Sequence, residues 1–149
     1  MAGKKKKSTT RSGTNLESLR SYTFFLDRAL QSYALRNALK ALGAQLEMHR
    51  DHFDEGADDV HWLPEVAKRG WVILSKDQFN WLEREAIRNA NGRAFLLVHG
   101  SLTGAEQVSI ISGAMRRILR ILKATPAPFI ARIYRAKRVL IISREFRAH

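Results

Sequence analysis

Short apolar runs alternate with segments of helical periodicity along most of this chain. Runs that are apolar throughout predict strands buried on both faces, whereas regular alternation predicts a half-buried strand. Residues 44–49 alternate in this way, with Leu46 and Met48 on one face. The pattern predicts four strands in the first 100 residues, over residues 22–27, 44–49, 71–74 and 94–98.

Apolar residues three or four positions apart predict the helices that separate these strands. Gly43 and Gly70 directly follow two such patterns, which is typical of helix C-caps. The predicted helices cover residues 30–42, 59–69, 78–91 and 103–123. In the third helix, the residues predicted to face the core are Trp81, Leu82, Ala86 and Ile87.

The fourth predicted helix has an apolar face and a basic face. The apolar face carries Ile110, Ile111, Met115, Ile118 and Leu122. The basic face carries Arg116, Arg117, Arg120 and Lys123. The proline-containing segment 125–128 ends this helix, and residues 129–134 and 139–142 predict two strands joined by a turn.

Strands and helices alternate through the first 123 residues, which predicts crossover connections and a parallel sheet. The predicted fold class is therefore α/β. We expect a three-layer sandwich with a central, mainly parallel sheet, followed by a long C-terminal helix and two short strands. In addition, Trp62, Trp71 and Trp81 lie on apolar faces of predicted elements, so we expect them in the core rather than as base-stacking platforms.

The composition is that of one globular domain with an unusual charge. The chain has 149 residues, of which 45% are hydrophobic, and its formal net charge is +12, which favours a polyanion or an acidic protein as partner. Residues 1–20 carry six basic side chains and one acidic side chain, and residues 111–149 carry ten and one. The first segment is rich in Lys, Ser, Thr and Gly, so we predict a disordered basic tail over residues 1–20 and one domain over residues 21–149.

Several classes of protein are excluded or disfavoured by what the sequence lacks. It contains no cysteine, which excludes disulfides, thiolate catalysis and cysteine zinc sites. No apolar run approaches the ~20 residues that cross a bilayer, so we expect no membrane association and a cytoplasmic location. Motifs for binding nucleoside triphosphates or dinucleotides are also missing from the sequence. The Lys4–Lys7 run could contact nucleic acid non-specifically, or it could simply be a solvated terminus.

Three aspartates occur where strands end or helices begin. Asp27 closes the first predicted strand, Asp77 follows the third, and Asp59 opens the helix that leads to the third. Because ligands of parallel sheets bind beyond the carboxyl ends of the strands, these oxygens could share one edge and hold Mg²⁺ or Mn²⁺. The alternative is that Asp59 and Asp77 are helix N-caps and that Asp27 begins a turn. We expect Ser75 to hydrogen-bond near Asp77 or to cap the helix.

Three short motifs carry a resemblance to a known family. They are Phe-Phe-Leu-Asp-Arg at residues 24–28, Asp-Val-His-Trp-Leu-Pro-Glu-Val at 59–66 and Gly-Trp-Val-Ile-Leu-Ser-Lys-Asp at 70–77. In order and spacing they resemble the PIN-like (PilT N-terminus-like) family, and within it the small virulence-associated-C-like toxins of bacterial toxin–antitoxin operons. The resemblance covers about residues 22–98, and it is weaker through the C-terminal helix and strands.

The resemblance implies a parallel sheet with flanking helices, a divalent-metal site and hydrolysis of RNA phosphodiester bonds. Asp27 matches the first acidic position, Asp59 the second and Asp77 the Asp of the third motif, where Ser75 stands at a Ser/Thr position. A shift of one residue would replace Asp59 with Asp58. A fourth acidic position of larger members has no defensible match here, although the acidic residues after Asp77 are Glu83, Glu85, Glu106 and Glu145.

The leading hypothesis is a Mg²⁺-dependent endoribonuclease that acts as the toxin of a type II toxin–antitoxin pair. Asp27, Asp59 and Asp77 would be the catalytic and metal-binding residues. The expected partners are RNA and a cognate antitoxin protein, and the resemblance is compatible with a homodimer. The alternative is a non-catalytic module on the same fold that binds nucleic acid or protein. The residues predicted to contact substrate are Ser75, Arg28, Arg116, Arg117 and Arg120.

Overall fold

The computed structural model describes residues 16–30, 32–98 and 100–143. Residues 1–15 of the predicted tail, including Lys4–Lys7, lie outside the described residues. Leu16–Ser21 forms a 3-10 helix, and its Leu19 is buried. The tail over residues 1–20 and the domain over residues 21–149 stay predictions.

A six-stranded sheet forms the centre of the described chain. The strands are Thr23–Leu26 (β1), Gln45–Met48 (β2), Val72–Ser75 (β3), Arg93–Leu97 (β4), Phe129–Ile133 (β5) and Val139–Ser143 (β6). Their order in the sheet is β2-β1-β3-β4-β5-β6. The pairs formed among β1 to β5 are parallel, and β6 pairs with β5 in the antiparallel direction. All six predicted strands are therefore confirmed.

Four α-helices of the described chain cover the two faces of the sheet. They are Tyr33–Ala41 (α1), Asp59–Lys68 (α2), Trp81–Asn89 (α3) and Gly104–Ala124 (α4). Apolar residues of α1 and α4 pack with Phe24 and Leu26 on one face, whereas those of α2 and α3 pack with Phe25 and Ile73 on the other. Alternate side chains of a strand point to opposite faces, so each buried strand packs against both helical layers. The predicted three-layer α/β sandwich is confirmed.

The long helix α4 matches its prediction closely. Thr103 caps it, because the Thr103 hydroxyl accepts from the Glu106 amide and the Glu106 carboxylate accepts from the Thr103 amide. All five residues of the predicted apolar face are buried, and the four residues of the basic face are exposed. In the described residues no helix is both long enough and apolar enough to cross a bilayer.

The prediction for the third helix was wrong at its first turn. Trp81 and Leu82 do not face the core but are 62% and 60% exposed. The reason is the cap: the Asn80 side chain accepts from the Glu83 amide, so the helix begins at Trp81 instead of Gln78. Phe79, with a φ of 55°, lies before the helix and fills the core in their place.

The helix predicted over residues 30–42 is also interrupted at its start. Arg28–Leu30 forms a 3-10 turn, and α1 begins only at Tyr33. The Ser32 side chain accepts from the Leu35 amide and caps the helix. Gly43 and Gly70, predicted to end the first two helices, have φ values of 107° and 78°, which glycine adopts without strain.

Candidate metal centre

The candidate site lies at the carboxyl ends of β1 and β3. The chain leaves β1 to form β2 on one side and returns to form β3 on the other, so the crossover direction reverses between β1 and β3. Such a switch point leaves a crevice beyond the strand ends. Asp27 directly follows β1, and Ser75 is the last residue of β3.

A chain of hydrogen bonds connects the ends of these two strands. The buried Ser75 hydroxyl donates to Asp27 Oδ2 over 2.6 Å and accepts from the Asp77 amide over 2.9 Å. Asp27 Oδ1 also accepts from the Arg28 amide over 2.6 Å. The predicted hydrogen bond between Ser75 and the Asp77 region is confirmed, and it fixes the backbone of Asp77 relative to Asp27.

Three carboxylates converge beside this connection. One oxygen from each of Asp59, Asp77 and Glu83 lies within 4.8 Å of the others, and we call this group the acidic cluster. Asp59 is the first residue of α2, Asp77 lies in the loop after β3, and Glu83 is in the first turn of α3. Three separate elements therefore bring carboxylate oxygens to one point.

The electrostatics of the acidic cluster are those of a site that lacks sufficient positive charge. Burial raises the pKa of the Glu83 carboxyl above its usual value, and the nearby Asp59 and Asp77 raise it further. The backbone hydrogen bond from Asn80 acts on this pKa in the opposite direction. A divalent cation would remove the repulsion, since hard cations prefer oxygen ligands.

Arg28 provides positive charge on one side of the acidic cluster. Its Nη2 donates to Asp59 Oδ1 over 2.6 Å, and its Nε lies 3.9 Å from Asp27 Oδ1. Its Nη1 donates to the carbonyls of Glu55 and Ala57 over 2.6 and 3.1 Å. The guanidinium therefore links both aspartates to the loop that precedes α2. The predicted contact of Arg28 with substrate phosphate stays a prediction.

Asp27 is a buried carboxylate, only 3% exposed. Burial raises the pKa of Asp27, while the hydrogen bonds from Ser75 and the Arg28 amide offset part of the shift. A raised pKa means that the folded state favours the neutral carboxyl. The contribution of the neutral Asp27 carboxyl to folding stability is fully present below the ordinary pKa of 3.8, and it is lost as the pH rises through the folded-state pKa.

Asp27→Asn is therefore expected to stabilise the protein at pH 7, by about 1 kcal/mol, because it removes a buried charge from the site. Urea unfolding across the pH range would measure the difference, which should shrink as the pH falls towards 4. Asp58→Asn, at an exposed position, serves as the control and should stay within about 0.5 kcal/mol of the wild type. A destabilised Asp27→Asn variant at pH 7 would contradict this account.

The structure brings some predicted site residues together and leaves others apart. Asp59 and Asp77 lie in the acidic cluster, and Asp27 adjoins it through Ser75 and Arg28. The N-caps of α2 and α3 are Asp58 and Asn80, so neither Asp59 nor Asp77 occupies the cap position that the alternative required. Asp58 is exposed and outside the cluster.

Glu83 is the residue that sequence reasoning missed. It was one of the acidic residues that matched no motif, yet it takes part in the acidic cluster. Its available signal was the Asn80-x-x-Glu83 capping box, which fixes the start of α3 and so points the first turn at the strand ends. That signal predicts a helix start and does not by itself predict a ligand.

The three arginines predicted to contact substrate from α4 lie elsewhere. Arg117 donates to the Lys137 carbonyl over 3.2 Å, and Arg120 lines a surface cavity with Arg138 and Leu140. These contacts place the basic face over β6, which is three strands from β3. At ~4.8 Å per strand, β6 itself lies ~14 Å across the sheet from β3. The substrate role of Arg116, Arg117 and Arg120 stays a prediction.

Comparisons with known proteins agree with this architecture. Residues 22–99, just over half of the chain, match the family model described as "PIN like domain". The chain is also 24% identical over 125 residues to a protein named "Putative ribonuclease VapC45" from Mycobacterium tuberculosis (strain H37Rv). That alignment covers 79% of this chain and 90% of the relative. No solved structure matches the chain significantly.

Proposed function

This chain belongs to the PIN-like domain family, and from that premise we propose that it is a metal-dependent endoribonuclease, the toxin of a type II toxin–antitoxin pair. The predicted family resemblance is confirmed by the match over residues 22–99. The observation that carries the proposal is the acidic cluster at the carboxyl ends of β1 and β3. The name of the mycobacterial relative supports the choice of RNA as substrate.

The donor set fits a hard divalent cation. The acidic cluster offers three carboxylate oxygens, and the pKa of Glu83 is raised by burial and further by the charges of Asp59 and Asp77. We propose that Asp59, Asp77 and Glu83 would hold Mg²⁺ or Mn²⁺, with Asp27 contributing directly or through water. Such an ion would supply charge stabilisation at a phosphoryl oxygen and a more acidic water.

The residues around the acidic cluster would hold its carboxylates in place. Arg28 and Trp62 both donate to Asp59 Oδ1, over 2.6 and 2.9 Å, and so orient this side chain. Ser75 holds the backbone of Asp77 in a similar way, because its hydroxyl accepts a hydrogen bond from the Asp77 amide. Because rotation of these groups is already restricted, substrate binding would not need to order them.

The proposed partners are RNA and a cognate antitoxin protein. The net charge of +12 supports a polyanionic substrate, and association would be sensitive to salt. Homodimer formation is a further expectation of the family resemblance, and a cytoplasmic location is an expectation from the lack of a long apolar run in the sequence.

The proposal is tested with the full chain, RNA and metal. We expect Mg²⁺ or Mn²⁺ to raise the melting temperature by several degrees, since a ligand held only by the folded state stabilises it by about 2.7 kcal/mol at 100 times its Kd. The same metal should support RNA cleavage, and EDTA should abolish both effects. Glu83→Gln should weaken the metal response, whereas Glu85→Gln, on the same helix but outside the acidic cluster, should leave it unchanged.

The non-catalytic alternative predicts different results in this experiment. A binding module would bind RNA in a salt-dependent manner that EDTA does not affect. A wild-type chain that neither responds to millimolar metal nor cleaves RNA would refute the nuclease and favour this alternative.

A further inference from the structure

Two arginines that the sequence analysis did not single out meet beside the acidic cluster. Arg84, the residue after Glu83 on α3, donates from Nη2 to the Gln78 carbonyl over 2.8 Å and from Nε to the Phe79 carbonyl over 3.1 Å. Arg132 on β5 donates from Nε to Gln78 Oε1 over 3.2 Å. Gln78 directly follows Asp77, so both guanidinium groups converge on the loop that carries a cluster carboxylate.

This arginine pair, Arg84 and Arg132, has no carboxylate counter-ion in the described part of the chain. The ion pairs found among the described residues involve neither side chain. Both are nevertheless half-buried. Burial, and then the nearby charge of Arg132, lower the pKa of the Arg84 guanidinium. Two adjacent, partly desolvated cations are costly without an anion, and a bound anion would offset that cost.

The sheet register places Arg132 level with the candidate site. Ser75 on β3 lies opposite Leu96 on β4, and Leu96 lies opposite Arg132 on β5. Arg132 shares its sheet face with Ile130, which packs against the α2 and α3 side of the sheet. Two strand spacings separate Ser75 from Arg132, or ~10 Å. The arginine pair therefore lies at the same edge of the sheet as the acidic cluster and on the same face.

The available hydrogen-bond donors of the pair suit a phosphate group. Arg132 uses its Nε, and within the described residues its two terminal nitrogens make no hydrogen bond. Arg84 is held by two backbone carbonyls, which fix its guanidinium in position. Arginine binds phosphate through two parallel N–H groups, and a guanidinium that is already fixed loses little entropy in doing so.

We infer that Arg84 and Arg132 form a subsite for a backbone phosphate of the RNA strand, next to the phosphodiester held at the acidic cluster. The inference rests on the proposed nuclease function for its choice of RNA as ligand. The arginine pair, rather than the basic face of α4, is then the first phosphate contact. The reason is that the pair adjoins the loop of Asp77, whereas the basic face lies over β6.

The test is binding of a short fluorescein-labelled single-stranded RNA to the full chain in EDTA, followed by anisotropy over a range of salt concentrations. Arg132→Gln should weaken binding about ten-fold near 0.1 M salt, and the slope of log K against log salt should fall by about 0.7, as expected for one lost single-strand phosphate contact. Arg120→Gln removes the same charge from the basic face and should change the affinity less than two-fold.

Arg132→Lys separates charge from hydrogen-bond geometry and protects the test against misfolding. It should keep the salt slope, because the charge remains, but bind about three-fold more weakly, because the fork of N–H groups is lost. If Arg132→Gln and Arg132→Lys, shown to be folded by circular dichroism, bind RNA as the wild type does, the subsite is refuted. A selective loss in Arg120→Gln would instead identify the basic face as the contact.

Failure of the subsite and failure of the nuclease give different results. If the wild type cleaves RNA with Mg²⁺ but Arg132→Gln binds RNA normally, only the subsite is wrong. If binding depends on Arg132 but no metal supports cleavage, the nuclease is wrong and the arginine pair remains a phosphate site of a binding module.

Discussion

Asp77→Asn is expected to lower the rate of RNA cleavage about 100- to 1,000-fold while leaving the fold intact. The change removes a negative charge from the acidic cluster and keeps the shape of the side chain. Asp77 Oδ1 accepts from the Phe79 amide over 2.8 Å, and an asparagine oxygen can accept the same hydrogen bond. The backbone of the loop should therefore stay as it is, and the loss should fall on metal binding and catalysis.

Cleavage of a labelled RNA under single-turnover conditions would measure this effect, together with the metal-dependent rise in melting temperature. Asp58→Asn is the matched control, because Asp58 neighbours Asp59 in sequence but lies exposed and outside the acidic cluster. It should retain wild-type cleavage. Equal cleavage by the wild type and Asp77→Asn would show that the acidic cluster is not the catalytic centre.

Arg28→Ala is expected to destabilise the protein by about 2–3 kcal/mol, since hydrogen bonds to charged groups contribute about 1.5–3 kcal/mol each. The Arg28 side chain is 31% exposed, so solvent screens part of its ion pairs. Its loss would leave Asp27 and Asp59 without a counter-ion among the described residues and the carbonyls of Glu55 and Ala57 without the Arg28 donor. For a chain of this size the melting temperature should fall by about 5–10 °C.

Thermal and urea unfolding of the purified variants would measure the loss. Arg28→Lys keeps the charge but not the fork of donors, so it should fall between the wild type and Arg28→Ala. Arg120→Ala, at an exposed position of α4, should change stability by no more than about 0.5 kcal/mol. If Arg28→Ala melts like the wild type but binds RNA more weakly, the role of Arg28 is to bind substrate, as the sequence predicted, and not to stabilise the loop before α2.

The layered architecture was predictable because its signals are local. Each buried strand is a short apolar run, and the faces of α4 follow from a repeat within one helix. Trp81 shows the limit of such signals. It was predicted to face the core together with Ile87, but the Asn80 cap begins α3 at the surface and Phe79 takes the core position.

The candidate site was predictable in part. Asp59 and Asp77 follow from the rule that ligands bind at the carboxyl ends of parallel strands, together with the family resemblance. Glu83 did not follow, because its place in the acidic cluster depends on how α3 is oriented after the turn at Phe79. Arg28 was predicted as a substrate contact, and the hydrogen bonds it makes to the loop before α2 are not visible in the sequence.

The sequence by itself determined the order of strands and helices, the parallel sheet and the aspartates at its carboxyl edge, because periodicity and strand ends are properties of neighbouring residues. Only the tertiary structure decided that Glu83 joins Asp59 and Asp77, that Arg28 pairs with Asp59, and that Arg84 and Arg132 meet at Gln78. These contacts join residues that belong to different strands, helices and loops. They depend on strand register and on where each helix begins, which no local pattern specifies.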